Sequence, residues 1–230
     1  MSRSRPLIGL DFDGTLVSCQ EKQIFALEEA RALLGLPCVD YGRIWTLKRD
    51  GLSTKDALIA TDIDPAAARR VALSWTEIVE TAAACDKDIL LPGVREALTT
   101  MVARADLLLL SARRSFGALE RQLKSLNLLQ FFVHVETVSP LSGASTAKAE
   151  SLRRHRACCY IGDSESDLAA AEAAGIPFYL LCTGQRSRAF FERTLAPRTI
   201  HDSLLDVASM VGQEMLDRQH FAQRPFRFNP

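Results

Sequence analysis

At 230 residues the chain lies at the upper end of what one hydrophobic core supports, so a single domain with a sizeable insertion, or two small domains, is expected. Lys plus Arg equals Asp plus Glu at 28 each, which removes the case for a globally basic nucleic-acid binder or an anionic tail and leaves local charge to carry any chemistry. No apolar stretch approaches the roughly 20 residues of a membrane helix, and MSRSRPLIGL has basic residues without a secretory core of signal-peptide length, so a cytoplasmic protein without membrane contact is expected.

The first predicted strand, residues 7–10, runs directly into DFDGT. Asp11 therefore falls at a strand's carboxyl end, the edge of an open α/β sheet where ligands sit, and Gly14 permits a tight turn there. A solvated turn would also use Asp and Gly, but Asp-x-Asp-Gly-Thr arises in a chain of this length at odds on the order of a few in a thousand. Carboxylates as close as Asp11 and Asp13 repel unless a cation or a shared proton relieves them. A hard metal ion and a division of labour, one acid attacking while the other shuttles a proton, would do so. The remaining partners should then lie at other strand ends.

Residues from about 20 to 87 read as helices, among them QIFALEEARALLGL, a segment opening at Ser53, and DPAAARRVALSWTEIVETAAA with Asp64 as N-cap and Pro65 at the first helical position. An inserted helical unit fits this interval better than an overlong loop. Within it Lys48, Arg49 and Lys55 surround Gly51; solvated charge is the ordinary reading, and gripping a carboxylate or second phosphate is the alternative. Pro92 and Gly93 mark the return to the main domain.

Further strands are predicted at 107–110, 132–136, 158–161, 178–181 and, more weakly, 199–201, alternating with helical patterns as parallel strands and crossover helices do. The unbroken apolarity of DLLLLS says that both sheet faces are covered. Ser111 ends that run, followed by Ala112, Arg113 and Arg114; Lys148 lies near the start of a helix; Asp163 follows ACCYI, and Asp167 opens the helix beyond it. Each alone has an ordinary structural reading, as turn serine, surface lysine or N-cap acid. A helix over about 202–219 and the tail HFAQRPFRFNP close the chain. The six cysteines, Cys19, Cys38, Cys85, Cys158, Cys159 and Cys182, form no CxxC pair and read as structural.

In order, DFDGT, LLLLS, Lys148 and GDSESD resemble the four motifs of the haloacid dehalogenase superfamily. The resemblance implies a doubly wound parallel sheet, a Rossmann-like α/β core over 1–18 and 88–230, with an inserted α-helical cap domain over 19–87. It further implies a phosphatase of the phosphoglycolate phosphatase type. Asp11 would be the nucleophile that becomes an aspartyl-phosphate, and Asp13 the acid that protonates the leaving oxygen and then deprotonates water. Mg²⁺ would be held by Asp11, Asp163 and the Asp13 carbonyl. Ser111, Ala112, Lys148 and amides at Phe12, Gly14 and Thr15 would hold the phosphoryl oxygens, with Arg113 and Arg49 as further anion contacts. Asp167 would orient Lys148 or the metal shell.

The partner implied is a small phosphorylated metabolite rather than nucleic acid, acted on by a monomer or homodimer. Asp13 and Thr15 favour phosphate monoester hydrolysis over carbon–halogen cleavage, and leave a phosphomutase or a non-catalytic regulator or scaffold open. A nucleic-acid role would rest only on Arg113, Arg114, Arg153, Arg154 and Arg156, without aromatic interleaving.

Overall fold

The computed structural model describes residues 5–141, 143–195 and 198–211. The core is a six-stranded parallel sheet of β1 (Leu7–Leu10), β4 (Asp106–Ala112), β5 (His134–Val138), β6 (Cys159–Gly162), β7 (Phe178–Leu181) and β8 (Ile200–His201), in the order β5-β4-β1-β6-β7-β8. The first strand sits at the centre, with chain order running outward on both sides. That places its carboxyl end at the point where the winding reverses, which is where open α/β sheets bind ligands.

Side chains alternate between two cores. Ile8, Leu10, Leu107, Leu109, Ile161 and Leu181 pack on one face with α6 (Val94–Val102), α7 (Phe116–Ser125) and a helix over 204–211. Leu108, Leu110 and Tyr160 pack on the other with α8 (Ala144–Arg154) and α9 (Glu165–Ala174). This two-sided burial is why the LLLL run is continuous rather than alternating. Gly9 faces Leu152 and Tyr160, where an added Cβ would meet them at 2.8 and 2.9 Å, so the central strand admits no side chain there.

Between β1 and β4 the chain forms α1 (Gln20–Leu33), α2 (Tyr41–Arg49), α3 (Thr54–Ile59), α4 (Pro65–Ile78) and the short α5 (Ala82–Cys85). Asp40, Ser53 and Asp64 cap the second to fourth of these through their side chains, and Pro65 begins α4 as its cap predicts. The helices enclose a hydrophobic cluster of their own: Leu27, Ala30, Ile44, Ala57, Leu58, Ala68 and Val71. Entry and exit are stitched together by a two-stranded antiparallel ribbon, β2 (Val17–Ser18) on β3 (Ile89–Leu90). Two-residue strands are too short to leave a periodic pattern, and the sequence reading passed over them.

The third core strand begins at His134 rather than at 132 because Leu129–Phe131 form a turn of 3-10 helix first. The predicted C-terminal helix is present over 204–211, whereas its remainder and the tail HFAQRPFRFNP lie outside the described residues. No described helix is long and apolar enough to cross a membrane.

Candidate active site

Two chain segments bring three carboxylates to the carboxyl edge of the sheet. Asp11 leaves the end of β1, its amide held by the Ile161 carbonyl at 2.9 Å, and Asp163 leaves the end of the neighbouring β6. Asp167 comes from the first turn of α9, whose N-cap Ser164 accepts the Asp167 amide and donates its hydroxyl to the Asp167 carboxylate at 2.6 Å. One oxygen from each of these buried acids lies within 4.8 Å of the others, an all-oxygen set of the kind hard divalent cations take.

Lys148, buried on α8, bridges two of them, donating to Asp11 at 2.7 Å and to Asp167 at 2.6 Å. Tyr160 also donates to Asp167, at 3.1 Å. Burial raises the Asp11 carboxyl to about 7, against the pull of the Lys148 cation. Burial likewise lifts Asp163 well above the ordinary carboxylate range, with the charges of Asp11 and Asp167 adding to it. Lys148 goes the other way: desolvation would lower it, but Asp11 and Asp167 hold it firmly protonated. The site thus has an excess of buried negative charge that one lysine only partly offsets, and a divalent cation fits that deficit and the oxygen donors alike.

The turn after Asp11 is built tightly around this cluster. Gly14 has φ +81°, and a Cβ there would fall on the Asp163 carboxylate, with the Gly184 Cα at 2.7 Å behind it. Thr183 donates to the Gly14 carbonyl at 2.5 Å, and the Gln185 amide donates to Asp163 at 2.8 Å. The loop after β7 therefore supplies part of the site, and the sequence reading missed it. The signal available was a Gly-containing TGQ at the carboxyl end of a parallel strand.

Asp13 occupies a different environment. Arg113 grips it with a fork, Nε to one oxygen and a terminal nitrogen to the other, both at 2.7 Å, and Lys22 from α1 also donates to it. Burial alone would raise Asp13, but these cations outweigh it and hold the carboxyl well below the usual range.

A cleft of about 440 Å³ opens over these groups. Its floor includes Asp11, Asp13, Ser111, Ala112, Lys148 and Asp163, and its roof Cys19, Lys22 and Gln23 with Trp75, Thr76 and Val79.

Several expected anion contacts are placed elsewhere. Phe12 packs its side chain into the hydrophobic core, which leaves the expectation for its backbone amide untouched. The amides of Gly14 and Thr15 are committed within their own turn, to the carbonyls of Val17 at 2.8 Å and Phe12 at 3.3 Å, so they are not free to meet a phosphoryl oxygen. Arg113 is engaged with Asp13 rather than aimed at a ligand. Arg49 donates to the carbonyls of Cys182 at 2.7 Å and Arg186 at 3.2 Å, tying the helical insert to the loop that carries Gln185. Arg114 pairs with Glu77 on α4, and Lys55 with its neighbour Asp56 on the surface. Lys48 is buried against the Trp75 ring, 4.2 Å from its centroid, and donates to Gln23; desolvation brings it down to about 7.

Carboxylates and a lysine gathered at the switch point of a parallel sheet, beneath an inserted helical lobe, define an α/β protein with an acidic site able to hold a cation. The family model described as haloacid dehalogenase-like hydrolase matches residues 6–175, and the chain belongs to that family. Solved structures share the fold at low identity. A haloacid dehalogenase-like hydrolase from Streptococcus pneumoniae is 20% identical at TM-score 0.69, covering 92% of this chain and 100% of its own. A predicted phosphoglycolate phosphatase from Haemophilus somnus is 18% identical at TM-score 0.67, covering 92% and 99%. The Protein Tyrosine Kinase A of Mycobacterium tuberculosis is 19% identical at TM-score 0.67, covering 92% and 99%. A comparison with the curated proteins finds no match.

The crowding at Gly14 gives the first expected outcome. Gly14→Ala forces a side chain onto Asp163 in a left-handed backbone, and a misplacement on this scale costs about 100-fold in turnover. Steady-state hydrolysis measured beside the far-UV circular dichroism of the variant checks it; a fully active Ala variant would mean that Asp163 need not hold its position.

Proposed function

We propose that the protein is a Mg²⁺-dependent phosphatase of small organic phosphate monoesters that works through an aspartyl-phosphate on Asp11. The observation that carries this reading is the meeting of Asp11, Asp163 and Lys148 with Asp13 on the floor of one cleft.

Asp11 would attack phosphorus through its carboxylate, forming the acyl phosphate as the ester oxygen departs. Lys148, already on Asp11, would balance charge on the transferring phosphoryl group, with the Ser111 hydroxyl beside it. Asp13, held ionised by Arg113 and Lys22, would pass a proton carried in on the monoester's phosphoryl group to the leaving oxygen and later take one from the attacking water, returning Asp11 and releasing phosphate. Asp11, Asp163 and the Asp13 carbonyl would hold Mg²⁺, which when bound neutralises the phosphoryl oxygens. Asp167 would keep Lys148 oriented.

The cleft volume is that of a metabolite pocket, and its roof of α1 and α4 side chains leaves little room for a polymer, which supports a small phosphorylated substrate. The likeness to a phosphoglycolate phosphatase points the same way. The free thiols of Cys19, Cys38, Cys85 and Cys182 suit a reducing, cytoplasmic setting.

The test is release of inorganic phosphate from 4-nitrophenyl phosphate and a panel of phosphorylated metabolites. Activity should vanish in EDTA and return with Mg²⁺. Isomerisation of a sugar phosphate without net phosphate release would make the protein a phosphomutase instead, and inertness toward the whole panel would leave a binding protein that keeps the fold.

A further inference from the structure

Resting on the phosphatase reading, we propose that the cleft takes an uncharged, apolar leaving group, an alkyl or aryl alcohol without a second anion, and that Trp75 on the side of the helical insert and Leu141 on the side of the core select it. A grip on a carboxylate or a second phosphate would need a cation facing the substrate. Lys48, Arg49 and Lys55 do not line the cleft.

The cations that do line it already have partners. Lys22 pairs with Asp13 and Asp88, and Arg113 with Asp13. Arg113 also donates to Gln122 on α7 at 2.6 Å, which in turn donates to Asp88 at 2.8 Å. Lys148 sits between Asp11 and Asp167, and Arg114 pairs with Glu77. Arg186 donates to Glu165 at 2.8 Å and to the Lys48 carbonyl at 3.0 Å. Glu80 and Glu165 themselves line the cleft, so a carboxylate on the leaving group would meet like charge and, among the described lining residues, no unpaired cation.

The neutral polar groups of the roof are engaged as well. Gln23 accepts from Lys48 and donates to the Cys19 sulfur at 3.7 Å, and the Thr76 hydroxyl donates back to the Ala72 carbonyl at 2.9 Å. Trp75 lines the cleft while its indole Nε1 is buried without an acceptor, so what its side chain offers the cleft is carbon. The ring is held in place, with Lys48 4.2 Å from its centroid and the hydrophobic cluster of the insert packed against it. Val79, four residues on, extends this apolar wall, and Pro140 and Leu141, from the segment after β5, supply the core's share. Leu141 is 67% exposed, apolar surface that a hydrophobic leaving group would cover.

Four esters read this selection on the full chain with Mg²⁺: methyl, benzyl and 4-carboxybenzyl phosphate, and phosphoglycolate. Methanol and the two benzyl alcohols are of near-equal acidity, so leaving ability does not separate them. In kcat/KM, benzyl phosphate should exceed methyl phosphate by about 100-fold, because one methylene in an apolar pocket is already worth about 10-fold or more. It should exceed both carboxylated esters by about 100-fold too, since their charge enters without a partner. Trp75→Ala should lower the benzyl-to-methyl ratio by about 10-fold or more. Leu141→Lys, at an exposed position, supplies a free cation and should lower the benzyl-to-4-carboxybenzyl ratio by about 5-fold.

A benzyl preference below about 10-fold over any of the other three esters would overturn the proposal, as would phosphoglycolate proving the best of the four or a ratio unmoved in a folded variant. Should Trp75→Ala not fold, Leu141→Lys still tests the selection against charge. A chain that releases no phosphate from any ester of these four or of the metabolite panel overturns the phosphatase reading and this proposal together; one that releases it without the benzyl preference overturns this proposal alone.

Discussion

Asp11→Asn is expected to lower phosphate release on the order of 10⁴-fold or more, the scale on which removal of an enzymatic nucleophile acts. The substitution is nearly isosteric and keeps an acceptor within reach of Lys148, which holds its second bond to Asp167. Folding should therefore survive, and circular dichroism with a thermal melt would show it. What is lost is a nucleophilic oxygen: an amide does not form an acyl phosphate at a useful rate. Intact-mass measurement after rapid acid quench should find a phosphorylated wild-type chain and an unmodified variant. Turnover within 10-fold of wild type would exclude Asp11 as the nucleophile and redirect the mechanism to direct attack by water.

Lys148→Met is expected to have the second large effect, on stability as well as rate. The lysine side chain is 4% exposed and holds its charge between Asp11 and Asp167. Removing it leaves Asp11, Asp163 and Asp167 buried together with no cation among them, and breaking a buried ion pair by deleting one partner costs about 3–5 kcal/mol. For a chain of this size that lowers the melting temperature by about 10 °C.

The sign of the charge effect is fixed by the geometry. Burial already holds Asp11 at about 7 while Lys148 pulls downward, so deleting the lysine lets it rise and leaves less nucleophilic carboxylate at neutral pH. Differential scanning calorimetry in EDTA should show the full loss. Added Mg²⁺ should restore part of it by supplying positive charge to the same oxygens. An unchanged melting temperature in EDTA would mean that the acids neutralise themselves by sharing protons.

Much of this arrangement was legible before any coordinates. Asp11, Ser111 and Asp163 each follow an apolar run, and strands buried on both faces must end where polar residues begin, so their place at the sheet edge follows from hydrophobic periodicity. The entry of α4 at Asp64 and Pro65 follows from the chemistry of free amides at a helix start. Lys148 was harder, since a lone lysine in the first half of a helix looks like a solvated charge; only its place in an ordered series singled it out.

Arg113 shows where local reading fails. In sequence it begins a polar loop, and its carboxylate partner lies 100 residues away. Neither a solvated arginine nor one gripping a substrate anion describes it, and no pattern near residue 113 distinguishes these from a fork on Asp13. Lys22, Asp88 and Gln122 were invisible for the same reason: each is ordinary in its own helix or turn, and their meaning comes from converging. Arg49 was seen as a cation able to reach the site, whereas the packing of α2 on the loop after β7 turns it toward backbone carbonyls.

The chain's own order of apolar runs, caps and strand-ending acids determined the parallel sheet, the helical insertion and the edge at which chemistry collects, because burial and hydrogen-bond satisfaction act over a few neighbouring residues. Only the tertiary structure decided which cation meets which carboxylate. Those pairings depend on the register of β1 against β4 and β6 and on how the insertion sits over them, distances set by packing among segments far apart along the chain.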